Sequence, residues 1–151
     1  MRRSVLLGLT SLLLITGCGT DKGKIFNVKT LAGKTEFEVS ELMGKPDTTF
    51  TWSFIGRKYR INRFRRYQTE VRYLNGQACE IILHNPEGIP FDPSSLERFG
   101  LPKATPNFMD ASSTIQWKNL DGIKSINFYK VGRKGGGNTD LPTYEIYFNL
   151  H

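Results

Sequence analysis

Two thiols, two imidazoles and one run of arginines are the side chains of this chain whose chemistry goes beyond packing. The thiols are Cys18 and Cys79, and the imidazoles are His84 and His151. Scattered over 151 residues, they could build a metal or nucleophilic site only by long-range coincidence, and no carboxylate cluster joins them. Catalysis, a bound metal and a cofactor are therefore not expected. The two cysteines differ in setting. Cys79 lies in "QACEIIL" among apolar neighbours and reads as a small buried hydrophobe. Cys18 closes "LLLITGC", behind Arg2, Arg3 and eleven uncharged residues from Val5 to Ile15. Small Thr16 and Gly17 would let a peptidase reach the Gly17–Cys18 bond in extended form.

Charge followed by a short apolar run is the order of a secretory signal, and the run falls short of the roughly 20 residues that span a bilayer. Ile15-Thr16-Gly17-Cys18 resembles the lipobox of bacterial lipoproteins. That resemblance implies that residues 1–17 are a signal cut before Cys18, whose thiol carries a diacylglycerol and whose new amine is acylated. Gly19, rather than Asp, follows the cysteine, which in enteric-type bacteria implies sorting to the outer membrane, facing the periplasm. Acyl chains contribute about 0.8 kcal/mol per buried methylene, so two or three make a stable membrane anchor. With Cys18 modified, Cys79 has no disulfide partner.

The small, polar residues 18–24 read as a lipidated tether, and 25–151 as one α+β domain of two diverged repeats, about 25–85 and 86–151. In "TEFEVSELMGKP", Thr35 and Glu38 predict a capping box and Val39, Leu42 and Met43 an apolar stripe; Gly44 and Pro46 end the helix. "DPSSLERFGLP" repeats this grammar with Asp92 as cap, Pro93 in the first turn, Leu96 and Phe99 as stripe, then Gly100 and Pro102. Strands follow each helix. The first set is "TFTWSF", a Gly56 turn, "RKYRI", and "TEVRYLNGQACEIIL" folded at Asn75-Gly76. The second is "TIQWK", a turn at "NLDG", "IKSINFYKV", a flexible loop from Gly132 to Pro142, and "TYEIYFNL", with Tyr144, Ile146, Phe148 and Leu150 on one face. Two tandem helix-on-antiparallel-sheet units are the expected architecture.

A helix ending "LMGKP", a Trp strand and a strand–NG–strand hairpin behind a lipobox resemble the SmpA/OmlA family, which includes the small lipoprotein of the β-barrel assembly machinery. Tandem copies of such a unit look like the β-lactamase inhibitory protein fold. Both likenesses imply protein binding without chemistry.

The remaining feature is "GRKYRINRFRRY", in which Arg57, Lys58, Arg60, Arg63, Arg65 and Arg66 alternate with Tyr59, Phe64 and Tyr67. No acidic residue stands between Asp47 and Glu70, and the whole chain carries a formal charge of +7, or +5 without Arg2 and Arg3. Such a strand could hold nucleic acid, but export removes that partner and leaves lipid head groups, cell-wall polymers and acidic protein faces. The competing reading is a solvated face with Tyr59 and Ile61 turned to the core. The apolar phase breaks near Asn62-Arg63, which predicts a bulge or loop there that pushes the arginines outward. Gly135–Gly137 lacks the Gly-Lys-Ser/Thr and following helix of a phosphate cradle, although Arg133 and Lys134 could extend the basic surface. The sequence thus points to a membrane-anchored, non-catalytic scaffold or accessory subunit with an envelope protein as partner. The alternatives are a displayed inhibitor of a secreted hydrolase, or a binder of anionic lipid or cell-wall polymer. It fixes no oligomeric state.

Overall fold

A computed structural model describes residues 27–86, 88–110, 112–131 and 141–149. The expected signal, tether and Cys18 lie outside the described residues, as do most of the glycine loop, Leu150 and His151. Three two-residue turns shape the sheet: Ile55-Gly56, Asn75-Gly76 and Asp121-Gly122, each with both residues at positive φ. That backbone matches the right-handed twist of the strands it joins. The turns link β1 (Thr48–Phe54) to β2 (Arg57–Phe64), β3 (Thr69–Leu74) to β4 (Gln77–His84), and β6 (Thr114–Leu120) to β7 (Ile123–Val131). A short β5 (Phe108–Asp110) and a last strand β8 (Leu141–Phe148) complete the set, so Pro142 belongs to a strand rather than to the expected loop.

The eight strands among the described residues form one antiparallel sheet in the order β1-β2-β3-β4-β8-β7-β6-β5. The two expected helix-on-sheet units are therefore overturned. The chain makes two four-stranded meanders, but they meet along their last strands and share a single core. The junction pairs Ile81 with Ile146 and Leu83 with Tyr144, all buried. Consecutive burial of Glu80, Ile81, Ile82 and Leu83 shows why β4 is central: both of its faces are covered.

Among the described residues, helix is confined to α1 (Glu36–Met43) and short 3-10 segments at Val28–Leu31, Arg65–Tyr67 and Pro93–Phe99. The capping box of α1 forms as the sequence requires, with Glu38 N–H donating to Thr35 Oγ1 (3.3 Å) and Thr35 N–H donating to Glu38 Oε2 (2.9 Å). Its stripe is narrower than expected, since Val39 and Met43 are buried but Leu42 is exposed. The second grammar produces a 3-10 helix, capped by Asp92 and stopped by Gly100 in the left-handed conformation (φ 73°, ψ 23°). Gly44 also has positive φ (84°), yet its ψ of 179° puts it in an extended region reached essentially by glycine alone.

These helical segments cover one face of the sheet. Leu31, Val39, Leu96 and Phe99 meet Phe64, Val71, Ile126, Phe128 and Tyr144 in one core. An aromatic nest fixes the second meander: the Phe128 ring lies 4.9 Å from Trp117 and 4.5 Å from Tyr144, both edge-on. The Tyr144 hydroxyl donates to Ile89 O (3.0 Å) and the Trp117 indole N–H to Ala104 O (3.0 Å), which pins the loops over that core.

Candidate binding surface

A strand sends alternate side chains to opposite faces, so the pairing of β1 with β2 sorts the arginine run. Thr51 stands opposite Arg60 and Ser53 opposite Lys58, on the helix-covered side. Phe54 stands opposite Arg57 and Thr48 opposite Arg63, on the other side, which no helix among the described residues covers. Arg65 and Arg66 leave the sheet in the 3-10 turn Arg65–Tyr67. The six basic residues therefore form no single strip.

Nor are all of them uncompensated. Glu70 faces Arg63 across β2 and β3, and the Arg63 Nε donates to its Oε1 at 3.0 Å. The His84 imidazole lies 3.7 Å from the same oxygen. Contacts with His84 and Arg63 outweigh burial and hold Glu70 down at about 2. Arg60 Nε lies 3.7 Å from Glu36 Oε2, and Asn62 Nδ2 donates to that carboxylate at 3.3 Å, so β2 is clamped to α1. Asp47 accepts the Arg65 backbone N–H (2.7 Å), not its guanidinium. Among the described residues, no carboxylate pairs with Arg57, Lys58, Arg65 or Arg66.

The bulge or loop expected at Asn62-Arg63 is absent, for β2 pairs without interruption through Phe64. The apolar phase breaks because both faces are covered there: Ile61 is buried on the open side and Phe64 in the core. The irregularity sits instead in β3–β4, where Arg72 pairs with Glu80 but Tyr73 with Ala78, leaving Cys79 as the extra residue. Cys79 is thus not a core hydrophobe. It is half-buried, its thiol donates to Arg72 O (3.4 Å), and burial pushes that thiol up to about 11.

On the open face an aromatic ridge runs along β1. The Trp52 and Phe54 rings stack at 5.1 Å, Tyr59 adjoins Trp52 at 5.7 Å, and the Arg72 guanidinium lies 5.0 Å from the centroid of the Trp52 ring. Phe54 is 52% exposed and Ile55, at the turn, 83%. Next to the ridge, a groove of about 440 Å³ is lined by Arg57, Tyr59, Leu74, Glu80, Lys124 and Tyr147, among others. Glu80 is buried beneath it. Arg72 Nη1 donates to its Oε2 at 3.0 Å, while its Oε1 accepts no hydrogen bond among the described residues, and burial raises its proton affinity despite the arginine. Tyr147 donates to Glu145 (2.9 Å) beside it.

The sheet's two edges differ. β5 offers three residues. β1 offers seven, Thr-Thr-Phe-Thr-Trp-Ser-Phe, with no charge and no proline, mostly exposed. Alternation along "TFTWSF" puts Phe50, Trp52 and Phe54 on one face, but that this face is open and that β1 is an edge are not stated by the strand alone. The signal available was the uncharged, Thr-rich strand itself. His84 ends β4 and touches Glu70, away from Cys79, and no group of three potential metal-ligating side chains occurs among the described residues. Comparison with protein-family models, characterised proteins and solved structures finds no match to this chain.

Proposed function

We propose that this protein is a lipid-anchored envelope protein, held at the outer membrane through Cys18, which binds another envelope protein as a non-catalytic scaffold or accessory subunit. The observation that carries the binding role is the contrast between the two faces of the sheet. One is sealed by helical segments over a continuous core, while the other leaves Trp52 and Phe54 exposed beside Arg57 and Arg72. Exposed aromatics with arginine are the composition of protein-binding surfaces. The anchor rests on Ile15-Thr16-Gly17-Cys18 and the run before it.

Two measurements test this. Cys18→Ser should abolish palmitate incorporation and release the protein from membranes; continued labelling would overturn the anchor. Affinity purification of the wild type from detergent-solubilised membranes should recover a stoichiometric envelope protein. A secreted hydrolase in its place would make the protein an inhibitor. Arg57, Lys58, Arg65 and Arg66, without carboxylate partners among the described residues, also support binding to anionic lipid, which liposome flotation would reveal by its loss in salt.

A further inference from the structure

Edge strands normally carry a device against pairing with other chains: a charge, a proline, a bulge or short length. The β5 edge has one, its three-residue length. The β1 edge has none. Its ladder with β2 is regular from Thr48 to Phe54, and among the described residues no hydrogen bond engages its outward backbone groups. A seven-residue edge with this composition is a template for another strand.

The side chains on its two faces specify what that strand would be. Toward the open face rises the ridge Phe50, Trp52 and Phe54. Toward the helix side, Thr49, Thr51 and Ser53 form a low shelf, and directly behind it on β2 stand Lys58 and Arg60. Lys58 is exposed and has no carboxylate partner among the described residues, and Arg60 is half exposed beside Glu36. A strand laid along β1 would put alternate side chains against aromatic rings and over ammonium and guanidinium groups. We propose that β1 accepts an extended segment of the partner protein, alternating apolar and acidic residues, as a further strand of the sheet. Backbone hydrogen bonds would supply affinity and the alternation specificity. This rests on the protein-binding reading above and names the chemistry of its partner. A second copy of this chain is disfavoured, because antiparallel β1 strands would bring two sets of Lys58 and Arg60 over one shelf.

The probe is a synthetic nonapeptide alternating valine and glutamate, with blocked ends, added to the purified full chain in detergent. Trp52 emission reports binding, since Trp117 is only 1% exposed. Saturable binding is expected, weakened about tenfold or more by Lys58→Ser with Arg60→Ser, and by high salt. Methylating alternate backbone nitrogens of the peptide, which leaves the protein untouched, should abolish binding. Replacing its glutamates by lysine should do the same. No binding of the parent peptide, or equal binding of the methylated one, overturns the proposal. So does a dimer dispersed by Thr51→Asp, which would make a second copy the occupant. An envelope partner recovered while the peptide fails would leave the scaffold reading standing and remove the edge alone.

Discussion

Arg72 of β3 reaches across β2 to lie over the Trp52 ring of β1, while its guanidinium also donates to Glu80 of β4. One side chain thus braces four neighbouring strands on a face that no helix among the described residues covers. Its two partners need it differently. Trp52 gains a contact, whereas Glu80 is a buried carboxylate that depends on the positive charge.

Arg72→Ala should therefore cost about 3 kcal/mol, the range for a buried charge that loses its partner. Burial already raises the proton affinity of Glu80, and losing Arg72 raises it further. A folded-state pKa above the unfolded value means stability falls as pH rises, so the loss should be larger at pH 7 than near 4.5. Urea melts at the two pH values measure this. An equal loss at both would show that Glu80 does not sense Arg72.

Glu70 behaves with the opposite sign. Its pKa is lowered from 4.5 to about 2, so its contribution is present above pH 4.5 and lost as pH falls toward 2. Glu70→Gln should flatten the acid limb of stability over that window and leave the remainder of the curve merely displaced. Acid titration of the folded fraction, followed by circular dichroism, gives both curves.

The arginines divide into two kinds. Arg63→Ser strips Glu70 of a close partner and should lower the melting temperature. Arg65→Ser with Arg66→Ser removes exposed groups that pair with no carboxylate among the described residues, so the melt should barely change. Flotation with anionic liposomes should respond in the double variant, chiefly at low salt. A double variant that melts early would mean the turn after β2 depends on those side chains.

Gly44 and Gly100 both stop helical segments at positive φ, but in different surroundings. A Cβ on Gly44 meets nothing within 4 Å, so Gly44→Val should cost about 2 kcal/mol from backbone strain alone. At Gly100 it would stand 3.0 Å from Asn27 Cγ, and Asn27 Oδ1 accepts the Lys29 N–H that starts the first 3-10 segment. Gly100→Val should therefore cost more than Gly44→Val, as thermal melts will show. The reverse order would contradict the packing of Asn27 on that turn.

Much of the local structure is legible in the sequence because it is decided within a few residues. Asn75-Gly76 must turn, Thr35 and Glu38 must cap, and Asp92-Pro93 must open a helical segment. What escapes are relations between distant segments. Nothing near Ile81 announces Ile146 as its neighbour, although the consecutive apolar residues Ile81, Ile82 and Leu83 already fit a strand buried on both faces. Repeated helix grammar suggested two tandem helix-on-sheet units within one domain, yet the same apolar positions serve one continuous sheet as readily. The arginine run was visible, but its division between two faces depends on a pairing register. The partner of Arg63 lies beyond a turn that the phase of hydrophobicity does not reveal.

The meeting of β4 with β8 also orders events in time. During synthesis the first meander is complete long before β8 exists, and β4 then presents the backbone edge that will become the centre of the sheet. Every strand of the second meander must emerge before that edge is closed. Until then the molecule has two raw flanks instead of one, and β4, rich in isoleucine, is the stickier of them.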